Sequence, residues 1–113
     1  MGEYMDSKAI VPMEMLKKSI SLKSIGLNEL AWYGKDAIKA IEYLSNKGTL
    51  ILGGDVYIIS EQKIKLTYDS WYYMLTESRT QQENIDAAKE KAISYIQHFI
   101  RKNGNDYLYS IIF

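Results

Sequence analysis

The chain has 113 residues, 47% of them hydrophobic and 25% charged, and its 14 basic residues balance its 14 acidic residues. This composition is typical of one globular domain, and the zero net charge argues against a nucleic-acid-binding protein that relies on a basic face. Cysteine is absent, which excludes disulfides, thiol nucleophiles and thiolate zinc sites and fits a reducing cytosol.

The N-terminal residues MGEYMD carry acids where a secretory signal would carry positive charge, and no uncharged apolar run approaches the roughly 20 residues that span a bilayer. We therefore expect a cytoplasmic protein that does not bind a membrane. Residues 1–10 have no clear hydrophobic period and are expected to be frayed. Residues 1–113 as a whole are expected to form a single domain.

Two segments of the N-terminal half have helical spacing. Pro12 suits the first position of a helix that ends near Gly26 and carries Met13, Leu16 and Ile20 on one face. Residues 27–32 fit either a short extended piece or a turn of helix. A second helix is predicted from residue 34 to residue 47, because its apolar positions form one stripe, Ala37, Ile38, Ile41 and Leu44.

From residue 49 onward the hydrophobic period changes to two, which is typical of strands. Residues 56–59 and 64–68 predict two strands joined by a hairpin connection at 60–63, and residues 71–75 predict a third strand. A capping box formed by Thr80 and Glu83 opens the longest predicted helix, which extends to residue 102. Residues 106–113 predict a last strand.

The predicted order of helix, helix, three strands, helix and strand indicates an α+β fold. We expect a small, mostly antiparallel sheet of about four strands with three helices packed on it. The connection from the third strand through the long helix to the last strand leaves open a parallel pair. Strand order is also left open.

Gly53 and Gly54 interrupt an apolar run, and we interpret both as structural residues that allow a bulge or a close backbone contact. Asp55 follows them, and the hairpin register decides which way it points. Pairing Ile59 with Ile64 puts Asp55 on the face of Ile64, and a shift by one residue reverses it. Asp55 is then either a buried group that needs partners or a group open to a binding partner.

No constellation of residues for catalysis or metal binding stands out. His98 is the only histidine and is expected on the solvated flank of the last helix. The carboxylates lack the dense spacing of a calcium loop, and no local acid orients a histidine beside a nucleophile. We expect no enzymatic activity, no cofactor and no metal, and a small hydrolase that depends on Asp55 is the remaining catalytic alternative.

Aromatic residues are concentrated in the predicted sheet, at Tyr57, Tyr68, Trp71, Tyr72 and Tyr73. We assign Trp71 to the core as a structural residue. The others are available to a partner, because tyrosine and tryptophan are enriched at the energetically important positions of protein interfaces.

Three stretches carry a resemblance to a known family: residues 28–31 (NELA), residues 36–41 (DAIKAI) and residues 52–57 (LGGDVY), with Trp71 beyond. They resemble the immunity protein 40 family of bacterial polymorphic toxin systems, over roughly residues 25–100. The resemblance implies a cytoplasmic α+β protein that binds and neutralises a cognate toxin domain. The alternative is a non-catalytic module that binds a small ligand or serves regulation.

Four residues are the candidates for contact with such a partner: Glu29, Asp55, Tyr57 and Tyr72. They are two carboxylates and two tyrosines. Because inhibitors of basic nucleases are often acidic overall, the neutral chain points to another kind of toxin or to acids that cluster locally.

Overall fold

The computed structural model describes residues 11–113, so the expectation for residues 1–10 lies outside the described residues. Helix α1 spans Met13–Lys17, α2 spans Gly34–Asn46 and α3 spans Gln81–Asn103. The strands are β1 (Ile20–Ser21), β2 (Leu30–Tyr33), β3 (Gly53–Ser60), β4 (Lys63–Tyr72) and β5 (Tyr107–Ser110), and a 3-10 turn covers Lys23–Ile25.

The strands form one sheet in the order β1-β2-β5-β3-β4, and every neighbouring pair is antiparallel. This architecture confirms the predicted α+β class. The last strand of the chain, β5, lies in the middle of the sheet between β2 and β3. It is antiparallel to both, so the parallel pair that the sequence left open is not formed. The described residues form five strands where about four were predicted, because residues 30–33 adopt the extended alternative and the short β1 pairs with them.

The first helix is much shorter than predicted. It ends at Lys17 instead of near Gly26, and Ile20 pairs with Ala31 in the sheet. The apolar spacing of residues 13, 16 and 20 therefore spans two elements, a turn of helix and a strand. Leu22 follows and is completely buried against the sheet, which draws the chain away from a helical path.

A single long strand, β4, replaces the predicted strand 64–68 and the start of the predicted strand 71–75. Tyr57 pairs with Leu66 and Asp55 pairs with Ser70, so β4 carries two extra residues in a bulge between these pairs. Tyr68 lies in the bulge with a φ of 72° and is 86% exposed. The Thr67 hydroxyl donates to the Val56 carbonyl oxygen at 3.1 Å and ties the bulge to β3.

The prediction of a separate strand over 71–75 was wrong. After Tyr72 the chain turns towards α3, because Asn84 of that helix makes three hydrogen bonds to Tyr73 and Thr76. The Tyr73 hydroxyl donates to Asn84 Oδ1 at 2.7 Å, and the Thr76 backbone N–H donates to the same oxygen at 3.2 Å. Asn84 is buried, so these bonds also satisfy a polar group that would otherwise be unpaired.

The predicted hairpin joins β3 and β4 through a two-residue turn. Ser60 pairs with Lys63, and the two residues between them, Glu61 and Gln62, have φ values of 52° and 65°. Positive φ at both central positions is the requirement of a type I′ turn, which matches the twist of the flanking strands. The hairpin therefore forms without the Asn-Gly pair that usually marks this turn.

Helices α2 and α3 pack on one side of the sheet, which we call the helix face. Both helices lie close to their predicted bounds, and the Thr80–Glu83 capping box is present. The core between helices and sheet contains the strand residues Trp32, Val56, Trp71 and Tyr109. The opposite side, which we call the second face, has a smaller buried cluster of Leu22, Ala31, Tyr57 and Leu108.

Candidate functional site

The hairpin register settles the direction of Asp55. Ile59 pairs with Ile64, so Asp55 lies on the same face as Ile64, which is the second face. Asp55 is half-buried there, and its backbone N–H donates to Ser110 Oγ of β5 at 3.1 Å. The carboxylate therefore lies on the side of the sheet opposite α2 and α3.

Glu29 and Asp55 are neighbours on the second face, although 26 positions separate them in the sequence. Burial raises the pKa of the Glu29 carboxyl above its ordinary value, and the charge of Asp55 raises it further. Glu29 Oε1 is buried and has no hydrogen-bond partner among the described residues. The fold thus brings two of the predicted contact residues together, in a locally negative region of a neutral chain.

Tyr57 lies beneath these two acids. It is only 2% exposed and packs with Leu22 and Leu108. Burial raises the pKa of the Tyr57 hydroxyl, the charges of Asp55 and Glu29 raise it further, and a hydrogen bond with Ser110 lowers it in part. Tyr57 is accordingly a buried neighbour of the acidic pair and offers almost no surface to a partner.

The two glycines allow β4 to approach β3 closely. A Cβ on Gly54 would overlap the Ser110 carbonyl oxygen and the indole of Trp71, whose Cζ3 would lie 2.6 Å away. A Cβ on Gly53 would lie 3.0 Å from the Cα of Tyr72. Trp71 can cover Gly54 only because this glycine has no side chain.

Tyr72 lies in a different place from the acidic pair, at the edge of the sheet. It borders a shallow cleft of about 410 Å³ between β4 and α3, which is lined by Ser70, Trp71, Tyr72, Met74, Lys91 and Tyr95. Trp71 stacks on Tyr95, with ring centroids 5.1 Å apart. Tyr72 is 64% exposed, and the Lys91 ammonium lies 5.7 Å from the centroid of its ring. We call this feature the edge cleft.

The edge cleft and the acidic pair are adjacent, because Ser70 of the cleft is the β4 partner of Asp55. Neither Lys91 nor Tyr95 was predicted as a site residue. A signal for both was their i, i+4 spacing on α3, which places them on one side of the helix. Only the fold brings that side of α3 next to Trp71.

Two further properties concern the part of the chain that the structure describes. No group of three or more histidine, cysteine or acidic side chains in residues 11–113 is arranged to hold a metal ion. None of the helices in that part of the chain has the length and apolar character needed to cross a membrane. His98, the only histidine, is exposed on α3.

Comparisons with known proteins place this fold in a family. Curated protein sequences and solved structures gave no match to the chain. A family model described as immunity protein 40 matches residues 21–113. The matched range includes both long helices and all five strands, apart from Ile20, the first residue of β1. The chain therefore belongs to the immunity protein 40 family.

Proposed function

We propose that this protein neutralises a cognate bacterial toxin by binding it in the cytoplasm of the cell that produces both, and that it does so without catalysis. The observation that carries the proposal is the family match over residues 21–113, because membership of an immunity protein family implies a protein toxin as partner. The proposal concerns one cognate toxin domain and direct contact with it.

The second face supports this function because partly exposed apolar groups and half-buried acids lie on it side by side. Tyr33, Ile59 and Leu66 are 39%, 39% and 40% exposed, and Glu29 and Asp55 lie among the same strands. Exposed apolar patches with a charged rim are typical of protein interaction sites. An interface of about 1,600 Å² centred on the acidic pair would be of ordinary size.

The contact residues that we propose are Glu29 and Asp55 on the second face and Tyr72 at the edge. Tyr57 has a supporting role, because its buried side chain anchors β3, the strand that carries Asp55. The unpaired Glu29 oxygen is an acceptor that a basic side chain of the toxin would satisfy. A local negative region of this kind also accommodates a basic toxin despite the neutral net charge.

The test is co-expression with the toxin encoded by the adjacent gene, followed by binding measurements on the purified proteins. We expect the native chain to restore growth and to bind an inactivated form of the toxin. The double variant Glu29→Gln/Asp55→Asn should weaken binding by about 10-fold or more, which is the size of effect expected when a desolvated charged hydrogen bond is lost. The measurement is a dissociation constant from calorimetry.

Glu42→Gln is the matched control, because Glu42 is an exposed acid on α2, which packs on the helix face. Its removal changes the net charge by one unit without touching the second face, so affinity should stay within about twofold, as for a distant surface charge. Failure of the native chain both to bind and to protect against the adjacent toxin would sink the proposed function.

A further inference from the structure

The indole N–H of Trp71 lacks a hydrogen-bond acceptor. Trp71 is 5% exposed, and its Nε1 is buried with no partner among the described residues. The other tryptophan, Trp32, is equally buried, but its Nε1 donates to the Met15 carbonyl oxygen at 2.8 Å. Buried N–H donors in native proteins almost always have an acceptor. Trp71 also lines the edge cleft, so one of the cleft's lining residues carries a buried, unsatisfied donor.

Lys91 adds an unpaired positive charge to the same cleft. Its ammonium faces the ring of Tyr72, and no carboxylate of residues 11–113 lies within salt-bridge distance of it, whereas Lys18 pairs with Asp36 at 3.7 Å. Burial first, and then the charges of Asp69 and Asp55, raise the pKa of the Tyr95 hydroxyl in the same cleft, but neither carboxylate lies within salt-bridge distance of Lys91. Lys91 is thus free to pair with a charge that a partner brings.

Resting on the proposed toxin-binding function, we propose that the edge cleft receives an acidic side chain of the toxin. Its carboxylate accepts a hydrogen bond from the indole N–H of Trp71 and forms an ion pair with the ammonium of Lys91. Two unsatisfied donors, one of them positively charged, are complementary to a single carboxylate, which accepts several hydrogen bonds at once. A neutral amide would satisfy Trp71 but would leave Lys91 unpaired.

The rim of the cleft opens as the carboxylate enters. Tyr72 and Met74 are 64% and 69% exposed, so their side chains can turn outward without leaving a packed core. In the free protein the contact with Lys91 holds the ring of Tyr72, and pairing of Lys91 with the carboxylate releases it. The released tyrosine then contributes apolar surface to the interface.

The cleft is also continuous with the surface proposed above. Ser70 lines the cleft and pairs across the strands with Asp55, so one toxin surface spans both. The edge cleft takes an acid of the toxin, and the Glu29–Asp55 pair takes a base. Charges of opposite sign at adjacent sites fix the orientation in which the toxin docks.

Nuclear magnetic resonance of the nitrogen-15-labelled native chain tests the proposal, because the protein has two indole N–H groups and each gives its own signal. Trp71→Phe or Trp32→Phe assigns them. On titration with the inactivated toxin domain from the adjacent gene, we expect the Trp71 indole proton to shift downfield and its exchange with water to slow at least about 10-fold. The Trp32 signal, already bonded to Met15, should stay unchanged.

Two lysine variants form a matched pair for the charge. Lys91 faces the ring of Tyr72 and Lys47 faces the ring of Tyr43, at 5.7 and 5.6 Å from the respective centroids. Lys91→Gln should weaken toxin binding by about 10-fold, as expected for the loss of one charge-assisted hydrogen bond, whereas Lys47→Gln should change it less than about twofold. Lys91→Arg should keep most of the affinity, because it keeps the charge.

The outcomes separate this inference from the proposed function. A toxin that binds, shifts other backbone signals and leaves the Trp71 indole unchanged overturns the cleft as the docking point and leaves toxin binding in place. Equal affinities of Lys91→Gln and Lys47→Gln have the same consequence. A native chain whose spectrum does not respond to the toxin at all overturns both.

Discussion

The two faces of the sheet use alternate residues of the same strands, but they differ in what covers them. On the helix face, Val56 and Tyr109 are completely buried under α2 and α3. On the second face, burial is confined to the area around Tyr57, and Ile59 remains 39% exposed. Asp55 and Val56 are adjacent in the sequence, yet Asp55 lies on the second face and Val56 lies in the core under the helices.

This difference separates two roles within each strand. The helix face contributes most of the apolar burial, and therefore most of the stability, since each fully buried aliphatic side chain is worth about 1.5 to 3 kcal/mol. The second face keeps partly desolvated carboxylates and exposed apolar groups, which cost stability and are available for binding. Substitutions on the two faces should therefore have different consequences.

The largest effect is expected at Gly54, on the helix face. Gly54→Ala places a methyl group against the Ser110 carbonyl oxygen and the Trp71 indole, and Ser110 belongs to β5, which is held on both sides by its pairing with β2 and β3. We expect the free energy of unfolding to fall by about 3 kcal/mol or more, because the site is overpacked by backbone as well as by side chain. Urea denaturation measures this quantity.

Gly48→Ala is the control for conformation without crowding. Gly48 has a φ of +86°, and a Cβ there would meet no other atom within 4 Å. Gly48→Ala should lower the free energy of unfolding only by the cost of placing alanine at a positive φ, about 1 to 2 kcal/mol. If Gly54→Ala proved no more costly than Gly48→Ala, close packing of Trp71 over Gly54 would not be a structural requirement.

The comparison of the faces can be made with one residue type. Ile96 of α3 is completely buried on the helix face, whereas Ile59 of β3 is partly exposed on the second face. Ile96→Ala should lower the free energy of unfolding by about 3 kcal/mol, within the range for buried aliphatic truncations. Ile59→Ala should lower it by less than about 1 kcal/mol, as at other partly exposed positions. Similar losses from both would mean that the second face is as well covered as the first.

The sequence predicted best the elements whose signals are local. Helix α3 has its capping box and apolar spacing within one segment, and α2 has a continuous apolar stripe. The hairpin was predicted from the change of hydrophobic period. The resemblance that names the family also rests on short local stretches around residues 28–57, and the family match over residues 21–113 bears it out.

The remaining features depend on contacts between distant residues. The end of α1 is set by pairing of Ile20 with Ala31, and the bulge in β4 is set by its register against β3. The proximity of Glu29 and Asp55 requires β5 to lie between their strands, and β5 is the last strand of the chain. No periodicity within a segment encodes such an arrangement, so the grouping of Glu29 with Asp55 was not predictable from the sequence.

The smallest predicted effect concerns the pH dependence that Glu29 gives to stability. Burial first and Asp55 second raise the pKa of Glu29 above 4.5 in the folded state. The folded protein then holds this proton more tightly than the unfolded chain, so the free energy of unfolding falls as pH rises from the unfolded pKa through the folded pKa. Glu29→Gln should remove this fall and stabilise the protein at neutral pH, by less than about 1 kcal/mol, since solvent screens a partly exposed carboxyl.

Salt separates the two causes of the raised pKa. Asp55→Asn should remove the repulsive part of the pH dependence and leave the part due to burial, and 1 M salt should do the same to the native chain, because the screening length falls to about 3 Å. Urea denaturation from about pH 4 upward measures this dependence, because the fall begins near the ordinary pKa of a glutamate carboxyl. If Glu29→Gln showed the same pH dependence as the native chain, the Glu29 carboxyl would be as well solvated as a free side chain, and the second face would lack the strained acidic pair that distinguishes it from the helix face.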